Sequence, residues 1–143
     1  MYTLYYLPNA CSLATQVVIY ELGQSVEIIH KQEVDNFNEI NPVGTVPVLV
    51  DNNRTLREGA AVMLYLLNKH KNTLLPESGA ARDQAIQDIM FANATMHPTY
   101  SRLFFIAQNI TDEITKKSAF KAAGEAINQL WQVVEKQLEN KDF

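Results

Sequence analysis

Residues 41–50 read NPVGTVPVLV, and they contain a turn followed directly by an apolar strand. Asn41 and Pro42 are turn-forming residues, and Gly44 offers a position where the backbone can adopt positive φ. Pro47 stands at the start of the strand, where a residue without an N–H removes no ladder hydrogen bond. On physical grounds alone a trans bond before Pro47 is favoured, because only about 5–6% of X-Pro bonds in folded proteins are cis.

The composition around this stretch is that of an ordinary globular protein. The chain has 143 residues, 47% of them hydrophobic and 20% charged, with a net charge of −4. This length is enough for one domain, or for a small domain and part of another. The mild acidity argues against a nucleic-acid surface, and the longest apolar run, residues 60–67, is too short to span a membrane.

The single cysteine, Cys11, cannot form an internal disulfide, and nothing in the sequence requires an oxidising compartment. The N-terminus lacks a basic region followed by an apolar one, so we expect no signal peptide and a cytoplasmic protein. The three histidines, His30, His70 and His97, have no ligand-like spacing, and we therefore expect no metal site.

Strand and helix patterns alternate through the first half of the chain. The predicted elements are a strand at 3–7, a helix at 11–22, a strand at 26–30, a polar loop at 32–39, a hairpin at 48–57 and a helix at 58–69. The first three form a βαβ unit, which is normally parallel and right-handed. On the first helix, Leu13, Val17, Tyr20 and neighbouring Val18 recur at helical spacing, and we expect them to form its apolar face. Pattern alone thus gives the α/β class.

Beyond this half the pattern is helical. One helical face runs from Ala85 to His97, where Pro98 is expected to kink or interrupt the helix. A second long helix is predicted at 112–138. Its apolar stripe consists of Phe120, Ala123, Ile127, Leu130, Val134 and Leu138.

Three motifs resemble a glutathione S-transferase. Residues 41–49 and 56–61, NPVGTVPVL and LREGAA, resemble its glutathione-binding core, and residues 5–14, YYLPNACSLA, resemble the N-terminus of the bacterial beta class. The resemblance implies a thioredoxin-like domain at 1–72, a linker at 73–79 and an all-α domain at 80–143. This helical domain is incomplete relative to the family, because further helices usually follow. The resemblance also implies a cis Val46–Pro47 bond.

Cys11 occupies the place of the beta-class site cysteine. A cysteine in the first turn of a helix lies at the positive end of the helix dipole, which favours the thiolate. We therefore expect an accessible thiol that is partly ionised at neutral pH. The alternative is a buried small hydrophobic residue, which describes most free cysteines. A thioredoxin-type dithiol is excluded, because no second cysteine follows in a C-x-x-C pair.

The other site residues come from the same resemblance. Glutathione is expected to contact Ala10, Cys11, Val46, Pro47, Glu58, Gly59 and His97. The N–H of Gly59 would bind the γ-glutamyl carboxylate and Glu58 the ammonium group. Catalytic roles fall to Cys11, His97 and Ser12, with Tyr6 as a further hydroxyl donor. Lys31 is the only basic residue left near the loop for the glycine end of the ligand.

The implied function is that of a cytoplasmic, homodimeric glutathione transferase in detoxification. Through Cys11, it would conjugate glutathione, its co-substrate, to small-molecule electrophiles or exchange mixed disulfides. Two alternatives remain open: a non-catalytic transferase-like binding or regulatory protein, and a glutathione-dependent disulfide reductase.

Overall fold

The computed structural model describes residues 1–139, so the last four residues of the predicted helical domain lie outside the described part. Two compact units are present, Met1–Ile86 and a second that begins at Gln87. The elements are β1 Tyr2–Tyr6, α1 Ser12–Glu21, β2 Val26–His30, α2 Phe37–Ile40, β3 Val48–Asp51, β4 Arg54–Arg57, α3 Gly59–Lys69, α4 Gly79–Phe91, α5 His97–Asn109 and α6 Glu113–Leu138.

The first unit is built on a four-stranded mixed sheet in the order β2-β1-β3-β4. β1 pairs with β2 in parallel, as the predicted βαβ unit requires, and with β3 in antiparallel register from Tyr2↔Asp51 to Tyr5↔Val48. β3 and β4 form the predicted hairpin. The end of β1, the start of β3 and the end of β4 therefore meet at one end of the sheet.

Apolar side chains fill the space between this sheet and the helices. Leu4, Ile19, Leu49, Val62 and Leu66 are fully buried in one cluster, which places α1 and α3 on the same face. Successive residues of a strand point to opposite faces, so Tyr5 points away from Leu4. Its ring meets the buried Phe37 of α2 at a centroid distance of 5.6 Å, which covers the other face.

The buried face of α1 differs from the prediction. Three of the expected residues are exposed, Leu13 by 59%, Val17 by 51% and Tyr20 by 81%, whereas Val18 is half-buried against the core. The buried residues are instead Ser12, Thr15 and Ile19. α1 carries apolar side chains around most of its circumference, and helical spacing alone does not say which of them meets the sheet.

The predicted polar loop at 32–39 contains local structure. A 3₁₀ turn forms at Lys31–Glu33, where the ring Nδ1 of His30 accepts a hydrogen bond from the Gln32 N–H. α2 then begins after Asn36, which has φ 56°. Burial of Phe37 explains why this short helix forms where the sequence is otherwise polar.

The second unit is helical, as predicted. A π-helical turn at Ala92–Met96 separates α4 from α5 and lies where Pro98 was expected to interrupt the helix. α6 begins after Asp112, whose carboxylate accepts a hydrogen bond from the Thr115 N–H at 2.8 Å. Ala123 and Ile127 of its predicted stripe are buried, whereas Leu138 is 41% exposed. No helix within residues 1–139 is both long enough and apolar enough to cross a membrane.

Candidate functional site

Three segments converge at one end of the sheet, and we call this the Cys11 end. It comprises residues 7–12 after β1, Val46 and Pro47 before β3, and Glu58 and Gly59 after β4. Val48 pairs with both Tyr5 and Arg57, so the residues that follow or precede these positions are neighbours. The predicted site residues of the first unit lie at this end.

Cys11 and Val46 are in direct contact. The Cys11 side chain is exposed, and its Sγ donates a hydrogen bond to the backbone oxygen of Val46 at 3.2 Å. The Val46–Pro47 bond is cis, which confirms the prediction. Pro47 is buried and Val46 is half-buried, so this backbone is partly accessible beside the thiol.

The ionisation of Cys11 is opposite to the expectation. Burial of the sulfur raises the pKa of the Cys11 thiol above its ordinary value, and the negative charge of Glu58 adds to this effect. The backbone N–H groups of Cys11 and Ser12 lower the pKa, as expected for a helix start, but they are outweighed. This direction is opposite to the expected partial ionisation, and the S–H group donates a hydrogen bond to the Val46 oxygen.

Glu58 has an unusual backbone. Its φ of 67° and ψ of 115° lie in a region that residues with a side chain rarely occupy. It directly precedes α3, and its exposed carboxylate forms no capping hydrogen bond. The first N–H groups of α3 have no intrahelical acceptors, so this helix start can receive an anionic group. Gly59 adds no side chain there.

Ser12 is placed differently from the prediction. It is fully buried, and its hydroxyl donates to the Leu7 oxygen at 3.2 Å and accepts from the Leu7 N–H at 3.3 Å. A hydroxyl used in this way closes the turn between β1 and α1 and is not available to a ligand. We therefore assign Ser12 a structural role, and its catalytic role stays a prediction.

The remaining predicted site residues are Ala10, Tyr6 and His97. Ala10 is half-buried, and its carbonyl accepts a hydrogen bond from the Leu13 N–H. The half-buried ring of Tyr6 lies edge-on to His30, with 5.4 Å between centroids. His97 is the exposed first residue of α5 in the second unit. Its role at the site stays a prediction.

Two residues, Lys31 and Asn41, organise the Cys11 end through contacts that the sequence did not indicate. Lys31 donates a hydrogen bond to the Gly44 oxygen and lies over the Phe37 ring, so its ammonium group is engaged in the loop. Asn41, which the sequence marked only as a turn former, is 2% exposed and has several backbone partners. An asparagine directly before a proline and a glycine was the available signal, but burial is not visible in such a pattern.

Comparison with known proteins gives the context of this geometry. Residues 13–74 match the family model described as the glutathione S-transferase N-terminal domain. The glutathione S-transferase GstA of Escherichia coli is 32% identical over 111 residues, which cover 71% of this chain and 55% of that protein. The chain thus spans about half the length of this relative.

Solved structures of glutathione transferases have a similar fold over nearly the whole length of this chain. A glutathione S-transferase from Xylella fastidiosa is 25% identical, with a TM-score of 0.89 over 98% of this chain and 71% of its own. A glutathione transferase from Burkholderia graminis, solved with two glutathione molecules per subunit, is 25% identical. Its TM-score is 0.86, over 99% of this chain and 64% of its own.

These likenesses define first a class, a thioredoxin-like α/β domain followed by a helical region. More narrowly, the chain is similar to bacterial glutathione S-transferases over most of its length.

Proposed function

We propose that this chain binds glutathione at the Cys11 end and conjugates it to small-molecule electrophiles. The observation that carries the proposal is the convergence of the Val46 backbone, the Glu58 carboxylate and the uncapped start of α3 beside an exposed thiol. These groups match the chemistry of a thiol peptide with a carboxylate and an ammonium group at one end. The Burkholderia graminis relative was solved with glutathione bound, which supports the same ligand here.

Each group has a distinct role in this proposal. The backbone of Val46 pairs with the peptide group of glutathione as a neighbouring strand would. The N–H groups at the start of α3, beginning with Gly59, bind the γ-glutamyl carboxylate, because helix N-termini favour anions. Glu58 accepts a hydrogen bond from the ammonium group, a charge-assisted contact. Pro47 and Ala10 contribute shape beside the thiol.

The chemical step follows from the protonated state of Cys11. When glutathione binds, the S–H group of Cys11 turns from the Val46 oxygen to the sulfur of glutathione and donates a hydrogen bond to it. Donation to a thiolate lowers the pKa of that ligand thiol. The glutathione sulfur then attacks the electrophile, a C–S bond forms, and the leaving group departs with its electron pair. The proton of glutathione passes to water. We retain His97 as a proposed site residue and a homodimer as the proposed assembly.

Mixed-disulfide exchange is the second candidate, because the Cys11 thiol is exposed. In that reaction the Cys11 thiolate attacks one sulfur of a disulfide, and the other sulfur leaves as a thiolate. The raised pKa of Cys11 lowers the thiolate fraction at neutral pH, which slows this route.

The test is titration of the full chain with glutathione by calorimetry, followed by steady-state assays with a model electrophile and with a mixed disulfide. Glu58→Gln is compared with Glu21→Gln, which changes an exposed carboxylate at the other end of α1. We expect saturable binding that Glu58→Gln weakens and Glu21→Gln does not, together with conjugation activity. Absence of binding to the unsubstituted chain would refute the proposal. Binding without either activity would indicate the non-catalytic binding protein, and activity with the mixed disulfide alone the reductase.

A further inference from the structure

Asn41 is a buried polar residue whose side-chain hydrogen bonds all serve one loop. It is 2% exposed, and its side-chain Nδ2 donates to the Thr45 oxygen at 2.8 Å and contacts the Thr45 Oγ1 at 3.3 Å. Its Oδ1 accepts from the Val43 N–H at 3.3 Å, and its own carbonyl accepts from the Gly44 N–H at 2.8 Å. One side chain thus spans residues 41–45 from the inside.

The contact with Thr45 has a geometric consequence for Val46. The Thr45 carbonyl and the Val46 N–H belong to the same planar peptide group, so holding the oxygen fixes the direction of the N–H. Within residues 1–139 we find no hydrogen-bond acceptor for this N–H. The Val46 oxygen, on the next peptide group, accepts from Cys11. Asn41 therefore controls the one free donor of the Val46 backbone.

Two further contacts hold the same loop and show that its conformation is specified. Gly44 has φ 74°, and a Cβ at this position would lie 3.0 Å from the side-chain oxygen of Asn38. The Gly44 oxygen accepts a hydrogen bond from Lys31. Residues 42, 43 and 45 are nevertheless exposed, so burial of the loop itself does not fix it. The buried contact that reaches Thr45 comes from Asn41.

We propose that Asn41 is a positioning residue for ligand binding: its amide orients the Val46 N–H toward a carbonyl of a bound thiol peptide. The inference rests on the proposed function for the identity of the ligand, but the effect on the Val46 peptide group holds without any ligand. The peptide part of glutathione does not react, so this contact is equally strong in the ground and transition states. Its loss then raises KM and leaves kcat unchanged.

The chain offers a matched control in Asn72. Its Nδ2 donates to the oxygens of Leu67 and His70, both at 2.7 Å, and its Oδ1 accepts from the Leu75 N–H at 2.9 Å. It braces the loop after α3, at the opposite end of that helix from Gly59. Asn41→Asp and Asn72→Asp remove the same amide donor from the same kind of bridge. Asn41→Ala and Asn72→Ala form a second pair in case the buried carboxylate prevents folding.

The experiment measures glutathione affinity, KM and kcat, the free energy of unfolding, and the rate of Cys11 alkylation by iodoacetamide in the ligand-free protein. For Asn41→Asp we expect Kd and KM for glutathione to rise by about tenfold, the scale of one lost buried hydrogen bond, with kcat unchanged. Cys11 should react about two to five times faster, because its acceptor on Val46 is no longer held. Asn72→Asp should change neither quantity.

Equal losses of affinity in the two variants would overturn the proposal, as would an Asn41 variant with reduced kcat and unchanged KM. A purely structural role predicts that second result, since unfolding lowers the active fraction without weakening binding in the folded remainder. If the unsubstituted chain binds no glutathione, the proposed function fails, and the alkylation rates still decide whether Asn41 positions Val46.

Discussion

The carboxylates at the two ends of the sheet in the first unit, Asp51 and Glu58, have opposite surroundings. At the far end from Cys11, which we call the Asp51 end, the buried Asp51 accepts hydrogen bonds from both Tyr65 and Lys69. Nearby, the Tyr2 hydroxyl lies 2.6 Å from the Nε2 of His70. At the Cys11 end, by contrast, the Glu58 carboxylate caps nothing and the backbone of this residue is strained.

This difference separates stability from binding within one small unit. Polar groups that satisfy one another stabilise the fold, whereas strained backbone and unpaired donors persist where a ligand completes them. Removing a polar group should therefore destabilise the Asp51 end. At Glu58 the same kind of change should impair binding and leave stability unchanged or improved.

Glu58→Gly should give the largest effect. Glycine adopts positive φ without strain, so the free energy of unfolding should rise by about 1 kcal/mol. Glutathione affinity should fall by about 10- to 100-fold, because a charge-assisted hydrogen bond is lost. Chemical denaturation and calorimetry measure the two quantities. Asn52→Gly is the control, because asparagine already tolerates its φ of 52°. A Glu58 variant that loses both stability and affinity would contradict the separation of stability from binding between the two ends.

Asp51→Asn should act on stability alone. The neutral amide accepts more weakly from Tyr65 and Lys69, and we expect a loss of about 1–2 kcal/mol in the free energy of unfolding. Glutathione affinity should not change. Asp35→Asn, at an exposed position, provides the control in the same denaturation experiment. Weaker glutathione binding by the folded Asp51 variant would show that the two ends are coupled.

The same carboxylate predicts a pH dependence. Hydrogen bonds from Lys69 and then Tyr65 hold the pKa of Asp51 below its ordinary value. A lowered pKa means that the stabilisation is complete above the unfolded value of about 3.9 and is lost as the pH falls through the folded value. The stability difference between the unsubstituted chain and Asp51→Asn should therefore be constant near neutral pH and shrink below about pH 4. A stability difference that grows on acidification would contradict a lowered pKa of Asp51.

Cys11→Ala should have the smallest effect on stability, within about 0.5 kcal/mol, because an S–H group is a weak donor and the residue is exposed.

In the unsubstituted chain, the pH profile of Cys11 alkylation should have its midpoint above the ordinary thiol value of about 8.5. A midpoint near neutrality would restore the thiolate that the sequence led us to expect.

The sequence predicted much of the first unit because its elements have distinct local signals. β2 was expected at 26–30 and is found at Val26–His30, and β4 agrees with the second arm of the predicted hairpin. The cis bond before Pro47 came from the family resemblance, since local physics favours trans. Glu58 was expected inside the helix but precedes it, because positive φ cannot be inferred for a glutamate.

Other features depend on contacts that no local pattern encodes. Thr15 of α1 faces the core beside Ile19, although Thr15 is more polar than the exposed Leu13, because the position of the sheet decides which face is covered. The pKa of Cys11 was predicted from the helix dipole alone. Burial of the sulfur and the nearby charge of Glu58 oppose the dipole and prevail. Asn41 illustrates the same limit, since its role follows from partners up to four residues away that meet it only in the folded loop.

The strand order also constrains the timing of folding during synthesis. β1 is made first, yet it lies inside the sheet, and its pairing with β3 joins Tyr2 to Asp51. Contacts between such distant positions form slowly compared with those of adjacent helices such as α5 and α6. A nascent chain that has not reached residue 48 therefore carries β1 with one edge unpaired, and an unpaired strand edge is a template for aggregation.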